Sequence, residues 1–156
     1  MVKGGKYFVT AGLQFLLPKN TITRLSAFSA QLRKHLAPVD TIDATMTIKF
    51  GATGTFSVSF GTSFTGYEFS IACEGGTVNL SVFKSTVTTI FRGKEEKVKA
   101  ADEKTGLPPE VRKWGEALAA MKRNEKQILE EALVDLELLE NMLKSNGEPL
   151  NCVFQI

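Results

Sequence analysis

One histidine and two cysteines are the only imidazole and thiol ligands that 156 residues offer to a transition metal. Zinc sites take about four ligands at set spacings, and Cys73 and Cys152 stand far apart with no metal-ligand spacing, so no metal is expected. Charge of one sign is also missing. Nineteen Lys and Arg face seventeen Asp and Glu, a formal net charge of +2. The basic residues are scattered, and the one acidic concentration, Glu130 to Glu140, falls in a helical pattern. Nucleic acid demands a basic face, so no nucleic-acid partner is expected. No apolar run reaches the ~18 residues of a membrane span, which argues against a membrane protein. Lys3 and Lys6 precede about eleven mostly apolar residues, the length of a signal-peptide core. Gln14 interrupts that run, and Pro18-Lys-Asn-Thr-Ile-Thr-Arg24 follows where small cleavage-site residues belong. A buried helix and a cytoplasmic location are the expectation.

What is present is the composition of an ordinary globular domain, 43% hydrophobic and 23% charged, and a length that fits one domain over 1–156. Residues 6–17 read as a short helix, with Phe8, Leu13, Phe15, Leu16 and Leu17 as its bulk and Pro18 to stop it. Ile22 to Phe28 reads as a strand, and Gln31 to Asp40 as a basic connection. From Asp40 to Phe91 the period is two. Ala44, Met46, Ile48 and Phe50 alternate with polar residues, as do Phe56, Val58 and Phe60. Tyr67, Phe69, Ile71 and Cys73 follow, with Cys73 as a small core residue, and then Val78, Leu80 and Val82. Glycine turns at Gly51–Gly54 and Gly75-Gly76 separate these runs, the pattern of consecutive antiparallel hairpins with one apolar face. Thr86–Phe91 and Glu95–Lys99 add two more strands.

Pro108-Pro109-Glu110 opens a helix whose apolar face is Val111, Trp114, Leu118 and Met121, with Trp114 expected in the core. Asn124-Glu-Lys-Gln127 resembles a capping box before a second helix striped by Ile128, Leu129, Ala132, Leu133, Leu136, Leu139 and Leu143. The tail Leu150–Ile156 offers a last strand. These elements predict a two-layer α+β domain, an open-faced and predominantly antiparallel β-sheet with helices packed on one face.

Asp40–Gly61, with its phrase GATGTFSVSFGT, Ala72–Thr77, whose EGGT runs on into Val78, and Glu130–Glu137 resemble the C-terminal domain of the Gfo/Idh/MocA oxidoreductases, fungal members above all. The likeness covers roughly residues 3–148. It implies an α+β domain with a large open sheet that in full-length relatives follows a Rossmann domain binding NAD(P). In those relatives an Asp-Gly-Gly-x-His motif leads into the domain, and its His lies beside the substrate. Here Lys3-Gly4-Gly5-Lys6-Tyr7 occupies that place, so the chain is expected to begin inside a family motif with the dinucleotide domain gone. No Gly-x-Gly-x-x-Gly and no Glu-Lys-Pro occurs among the 156 residues, so no cofactor is expected.

The resemblance places Tyr7 where the family has its catalytic His, and a phenol can donate a hydrogen bond to a carbonyl or enolate. It also places the Gln31–Asp40 connection near the substrate. That connection carries His35, the sole histidine, for acid–base work, with Asp40 beside it as a third catalytic candidate and Arg33 as a binding group. Lys49 and Glu68 are candidate substrate-binding residues on the polar sheet face. Each has a plainer reading, as an exposed aromatic, a loop histidine or cross-strand charge pairs. Two functions follow as expectations. One is a cofactor-independent enzyme on a small molecule, a non-redox cyclase, isomerase or lyase step in secondary metabolism. The other is a non-catalytic oligomerisation or regulatory subunit of a full-length oxidoreductase. The small hydroxyls of Thr45, Thr47, Ser57, Ser59, Ser70 and Ser81, with Asn79, leave the polar face flat, and a homodimer or larger homo-oligomer through that face is expected.

Overall fold

Strand β1 (Ile22–Ala30) begins the described part of the chain, which in the computed structural model comprises residues 22–99, 107–124 and 128–154. The helix expected at 6–17, and Tyr7 with it, lies outside those residues. In chain order there follow β2 (Thr41–Ile48), β3 (Thr53–Ser59), β4 (Glu68–Cys73), β5 (Gly76–Ser81), β6 (Thr86–Phe91) and β7 (Lys94–Lys99). Helices α1 (Leu107–Ala119) and α2 (Leu129–Ser145) come next, and then the two-residue strand β8 (Leu150–Asn151). The chain divides into two compact units, one drawn from 1–63 and 126–156 and the other from 64–125.

The first unit is an antiparallel sheet in the order β3-β2-β1-β8. Alternation sorts its side chains as the sequence predicts. Leu25 pairs with Met46, Ala27 with Ala44 and then Phe56, and Ile42 with Val58, all on one face and all buried. A register shift between Ile22 and Arg24 lets Ile22 reach the same face as Leu25, since a bulge changes the parity of the strand. The opposite face carries Ser26, Thr45 and Thr55 in one row and Arg24, Thr47 and Thr53 in the next.

Helix α2 covers the apolar face through Leu138, Leu139 and Met142, which with the strand residues form the core. The buried positions of this helix are 135, 138, 139, 142 and 145, a one-sided i, i+3, i+4, i+7 pattern. This corrects the stripe read from sequence, in which only Leu139 is buried. Leu133, Leu136 and Leu143 remain partly exposed and Leu129 is 81% exposed. The helix has leucines on more than one face, so periodicity alone did not choose the side that meets the sheet. Hydrogen bonds at its C-terminus do. The Ala27 amide donates to Ser145 Oγ at 2.8 Å, and that hydroxyl donates to the Glu148 carbonyl at 2.5 Å. Ser26 Oγ donates to the Gly147 carbonyl at 2.6 Å, and the Gly147 amide donates to the Ala27 carbonyl at 2.7 Å. Asn146 and Gly147 take the left-handed conformation that ends the helix, which swings the chain back onto β1. The N-cap of α2 is Ile128, with no side-chain hydrogen bond; three residues of the expected capping box, 125–127, lie outside those described.

The second unit is a four-stranded meander, β4-β5-β6-β7. Its register puts Phe69, Leu80, Val87 and Val98 in one row and Ser70, Asn79, Thr88 and Lys97 in a row on the other face. Tyr67 packs edge-on against Phe69 and Phe83, with ring centroids 5.3 and 6.0 Å apart. The fold class is as predicted, α+β with open antiparallel sheets, though the strands form two sheets of four where the alternation had suggested one run of hairpins. Several residues depart from their expected apolar-face positions, among them Phe60 and Val78 of the alternating runs, Val111 and Leu118 of α1 and Met121 just past it, all exposed. Cys73 is exposed because it ends β4 beside the turn. Trp114 is 54% exposed. Phe50 is 99% exposed with φ +75°, because the β2–β3 turn begins one residue before it and breaks the alternation.

The Ser145 clamp gives a direct test. Ser145→Ala leaves the buried Ala27 amide without its acceptor, which costs about 1–3 kcal/mol. Urea unfolding should show that loss with an unchanged m-value; a stability within error of wild type would mean that the clamp does not seat the helix.

Candidate functional site

The connection from β1 to β2, residues 31–40, is built around one carboxylate. Asp40 is 1% exposed. Its Oδ1 and Oδ2 accept the Leu32 amide, both at 3.0 Å, and Oδ2 accepts the Arg33 amide at 2.7 Å. Thr41 Oγ1 donates to Oδ1 at 3.0 Å. The Asp40 backbone is tied as well, its amide to the Ala30 carbonyl at 3.0 Å and its carbonyl to the Phe60 amide at 2.8 Å. Around this centre Thr41 Oγ1 and Ser59 Oγ lie 2.7 Å apart, Ser59 Oγ accepts the Gly61 amide at 3.2 Å, and Arg33 Nε donates to the Gly61 carbonyl at 2.9 Å. A Cβ on Gly61 would stand 2.7 Å from Asp40 Oδ2, so only glycine allows β3 to close over the carboxylate.

Burial raises the Asp40 pKa. The amides of Leu32 and Arg33, the Thr41 hydroxyl and the Arg33 charge lower it, and together they prevail. The carboxyl sits below the usual aspartate range, ionised at neutral pH and with its lone pairs occupied. That suits an anchor that holds a loop better than a group that exchanges protons with a substrate.

The other candidates take no part in this carboxylate cluster, apart from Arg33. His35 lies in a single 3-10 turn, Lys34–Leu36, and is exposed, so the loop that Asp40 pins presents the imidazole to solvent. Arg33 shares the loop and spends one guanidinium donor on Gly61. Lys49 is at the far end of β2, nine residues from Asp40 and so roughly 30 Å away along an extended strand. Glu68 belongs to the second unit and accepts Ser81 Oγ across the β4–β5 pair at 3.3 Å. Tyr7 is outside the described residues. Among the described residues no cluster of three or more His, Cys, Asp or Glu is arranged for a metal, and no helix is long and apolar enough to cross a membrane.

A cavity of about 360 Å³ opens beside the same loop. Pro38 and Val39 of the loop, Ile42 of β2 and Leu136, Leu139 and Leu143 of α2 wall it, with Glu140 and Lys144 also lining it. Neither the cavity nor the roles of Gly61 and Ser59 follow from the sequence reading. Asp40 was read from the sequence only as a catalytic candidate, and its backbone partners, eight and seven residues upstream, are not legible there.

Compared with solved structures, the chain matches an oxidoreductase from Thermotoga maritima over 96% of its length with a TM-score of 0.75 and 20% identity. An NAD-binding oxidoreductase from Klebsiella pneumoniae gives 96%, 0.77 and 13%, and an aldose-aldose oxidoreductase from Caulobacter crescentus 95%, 0.74 and 14%. The fold is that of the C-terminal domain of Gfo/Idh/MocA-type oxidoreductases. The chain spans less than half the length of these proteins, 43%, 49% and 46% respectively. At such identities the Gfo/Idh/MocA likeness is one of fold. No family model matches the sequence, and no curated protein matches it.

The depressed Asp40 pKa fixes the sign of a pH effect. Its stabilisation is complete above the unfolded value of ~3.9 and is lost as pH falls through the lower folded value. Asp40→Asn should therefore melt roughly 5 °C below wild type at pH 7, with the gap narrowing below pH 4. An equal gap at pH 7 and pH 3 would show that the charge is not what holds the loop.

Proposed function

We propose that this domain is a cofactor-independent enzyme acting on a small organic molecule, in a non-redox step of the cyclase, isomerase or lyase type within secondary metabolism. One observation carries the reading: a buried, fully engaged carboxylate rigidifies a loop that presents the protein's only histidine, and that loop also walls an apolar cavity. A site of this kind needs a rigid frame for its acid–base group, and Asp40 supplies one. His35 is the proton carrier in this proposal. Asp40 is a positioning residue, Arg33 a binding group at the loop, and Tyr7 a hydrogen-bond donor to a substrate carbonyl. Lys49 lies at the other end of β2 from the loop site, and it and Glu68 of the second unit would have a separate binding role on the sheet faces.

The neighbours of like fold are oxidoreductases, and that supports an enzymatic origin. The 156 residues contain no Gly-x-Gly-x-x-Gly, and the step proposed for these residues by themselves is one without net redox change. Proton removal next to a carbonyl, followed by return at another carbon, needs only a base, an acid and a donor to the enolate oxygen.

Such chemistry exchanges substrate protons with solvent. Incubated in D₂O with a panel of apolar ketones and no nicotinamide, the protein should wash deuterium into the carbon next to the carbonyl, as NMR reads it. His35→Ala should slow this at least tenfold, and Tyr7→Phe should slow it similarly, with His35→Ala leaving the melting temperature unchanged because His35 is exposed. Exchange at the wild-type rate in both variants would sink the assignment.

A second reading, association of copies through the sheet, is favoured by the outer face of the first unit. Its rows of Ser and Thr carry few charges, and the carboxylate of Asp43 is already met by Ser57 Oγ at 2.5 Å. Phe28 stands on the same face, 67% exposed, and adds apolar surface to two faces that could pack in an isologous pair; an oligomerisation or regulatory subunit would use the same surface. Light scattering should give twice the 17.1 kDa chain mass, and Thr45→Lys with Thr53→Lys should halve it. A wild-type mass of one chain at micromolar concentration would end the idea.

A further inference from the structure

We infer that the cavity between the 31–40 loop and helix α2 binds a neutral, hydrocarbon-rich small molecule with one polar end. Its volume of about 360 Å³ is at the small end of the ~300–1,000 Å³ typical of ligand sites. Six of its eight lining residues are apolar, and they come from three elements, loop, strand and helix, so the ligand would be gripped from several sides. The floor belongs to the core: Ile42 and Leu139 are buried and cannot move aside cheaply. The walls are different. Leu136 and Leu143 remain partly exposed while Leu139 and Met142, on the same helix, are buried, and a ligand in the cavity would take their apolar surface out of water.

Water is a poor occupant, because a bound water needs two to four polar partners and the walls offer aliphatic carbon. The polar groups are Glu140 and Lys144, which form an i, i+4 ion pair with both side chains more than half exposed. The pair is neutral overall, lines the cavity mainly with its aliphatic stems and keeps its charged heads at the solvent rim. A ligand's one polar end would therefore stay at the open rim beside the pair, which gives no excess charge to attract an anion. A sugar, polar all round, would lose its hydrogen bonds to water against these walls without replacement. A protein partner would need about 800 Å² of surface to bind stably, far more than a cavity of this size presents. That the ligand is the substrate of the proposed enzyme rests on the reading above; that the cavity takes such a ligand does not.

The test uses the full chain and the neutral fluorophore N-phenyl-1-naphthylamine. Fluorescence should rise to saturation at one site per chain, and 1-decanol should displace the probe while glucose does not. Leu143→Arg, with the wild-type melting temperature, should weaken binding at least tenfold. Leu133→Arg, on the same helix and outside the cavity, should bind as wild type does. Should Leu143→Arg fail to fold, Leu136→Gln takes its place with the same expected loss. Unchanged affinity in the cavity variant, equal loss in Leu133→Arg, or displacement by glucose would each overturn the inference. An affinity that falls as protein concentration rises would also overturn it and assign the cavity to a second copy. Saturable binding together with an absence of carbonyl exchange would leave the ligand site standing and remove the enzyme reading alone.

Discussion

A carboxylate taken out of water must be met by donors or it will not stay charged, and that requirement organises one end of the first unit. Asp40 is met by two amides and a hydroxyl, and each donor comes with a structural consequence. The amides of Leu32 and Arg33 can converge on it only if the chain leaving β1 folds back within ten residues. Thr41 can reach it only at the first position of β2, in line with Ser59 on β3. Closure over the top requires a residue without a side chain, Gly61. The loop geometry, the start of β2 and the end of β3 are thus solutions to one desolvation problem, and His35 and the cavity wall at Pro38 and Val39 ride on the result.

The fold was legible where burial and periodicity say the same thing. Ala44, Met46, Phe56 and Val58 are buried and alternate with polar neighbours, and a one-residue slip would invert every one of them, so the strands had little freedom to be misread. Phe50 and Cys73 continue the same parity but end their runs, and parity has no force past the last paired residue. Helix α2 was legible as a helix and misread in its rotation. Leu129, Leu133, Leu136 and Leu143 make as good a stripe as Leu138, Leu139 and Met142. The choice between them rests on Ser145 meeting the Ala27 amide, a contact between residues 118 positions apart that no local pattern encodes. Trp114 illustrates the converse: a helical apolar spacing states that a face can be buried without supplying the surface that buries it.

The site was legible only as a list of chemically capable residues. Arg33, His35 and Asp40 lie within eight positions and so had to be neighbours, yet the division of labour among them depends on which way each side chain turns. Asp40 turns inward and is consumed by backbone donors; His35 stays in solvent. Lys49 and Glu68 were assigned to the polar sheet face, and a strand of eight residues carries Lys49 away from Asp40 whichever way that face turns. The apolar cavity was invisible because it is made of residues, Pro38, Ile42 and Leu139 among them, that sequence can only assign to core.

Fold likeness at 10–20% identity to oxidoreductases constrains the frame more than the chemistry. A sheet with one buried apolar face and one mostly polar outer face is stable for reasons of packing that hold whatever the frame binds. Chemistry depends instead on a few groups whose environments the frame can reset. Here the reset is visible in Asp40, whose ionised state follows from donors supplied by its own loop; no ligand is needed to maintain it. A loop pinned in that way before any substrate arrives is preorganised, so a bound molecule need not order it. The same economy applies to the cavity, whose floor is already core. What the ligand must supply is apolar surface for Leu136 and Leu143, and the rigidity of the loop and floor turns that demand into a preference for shape.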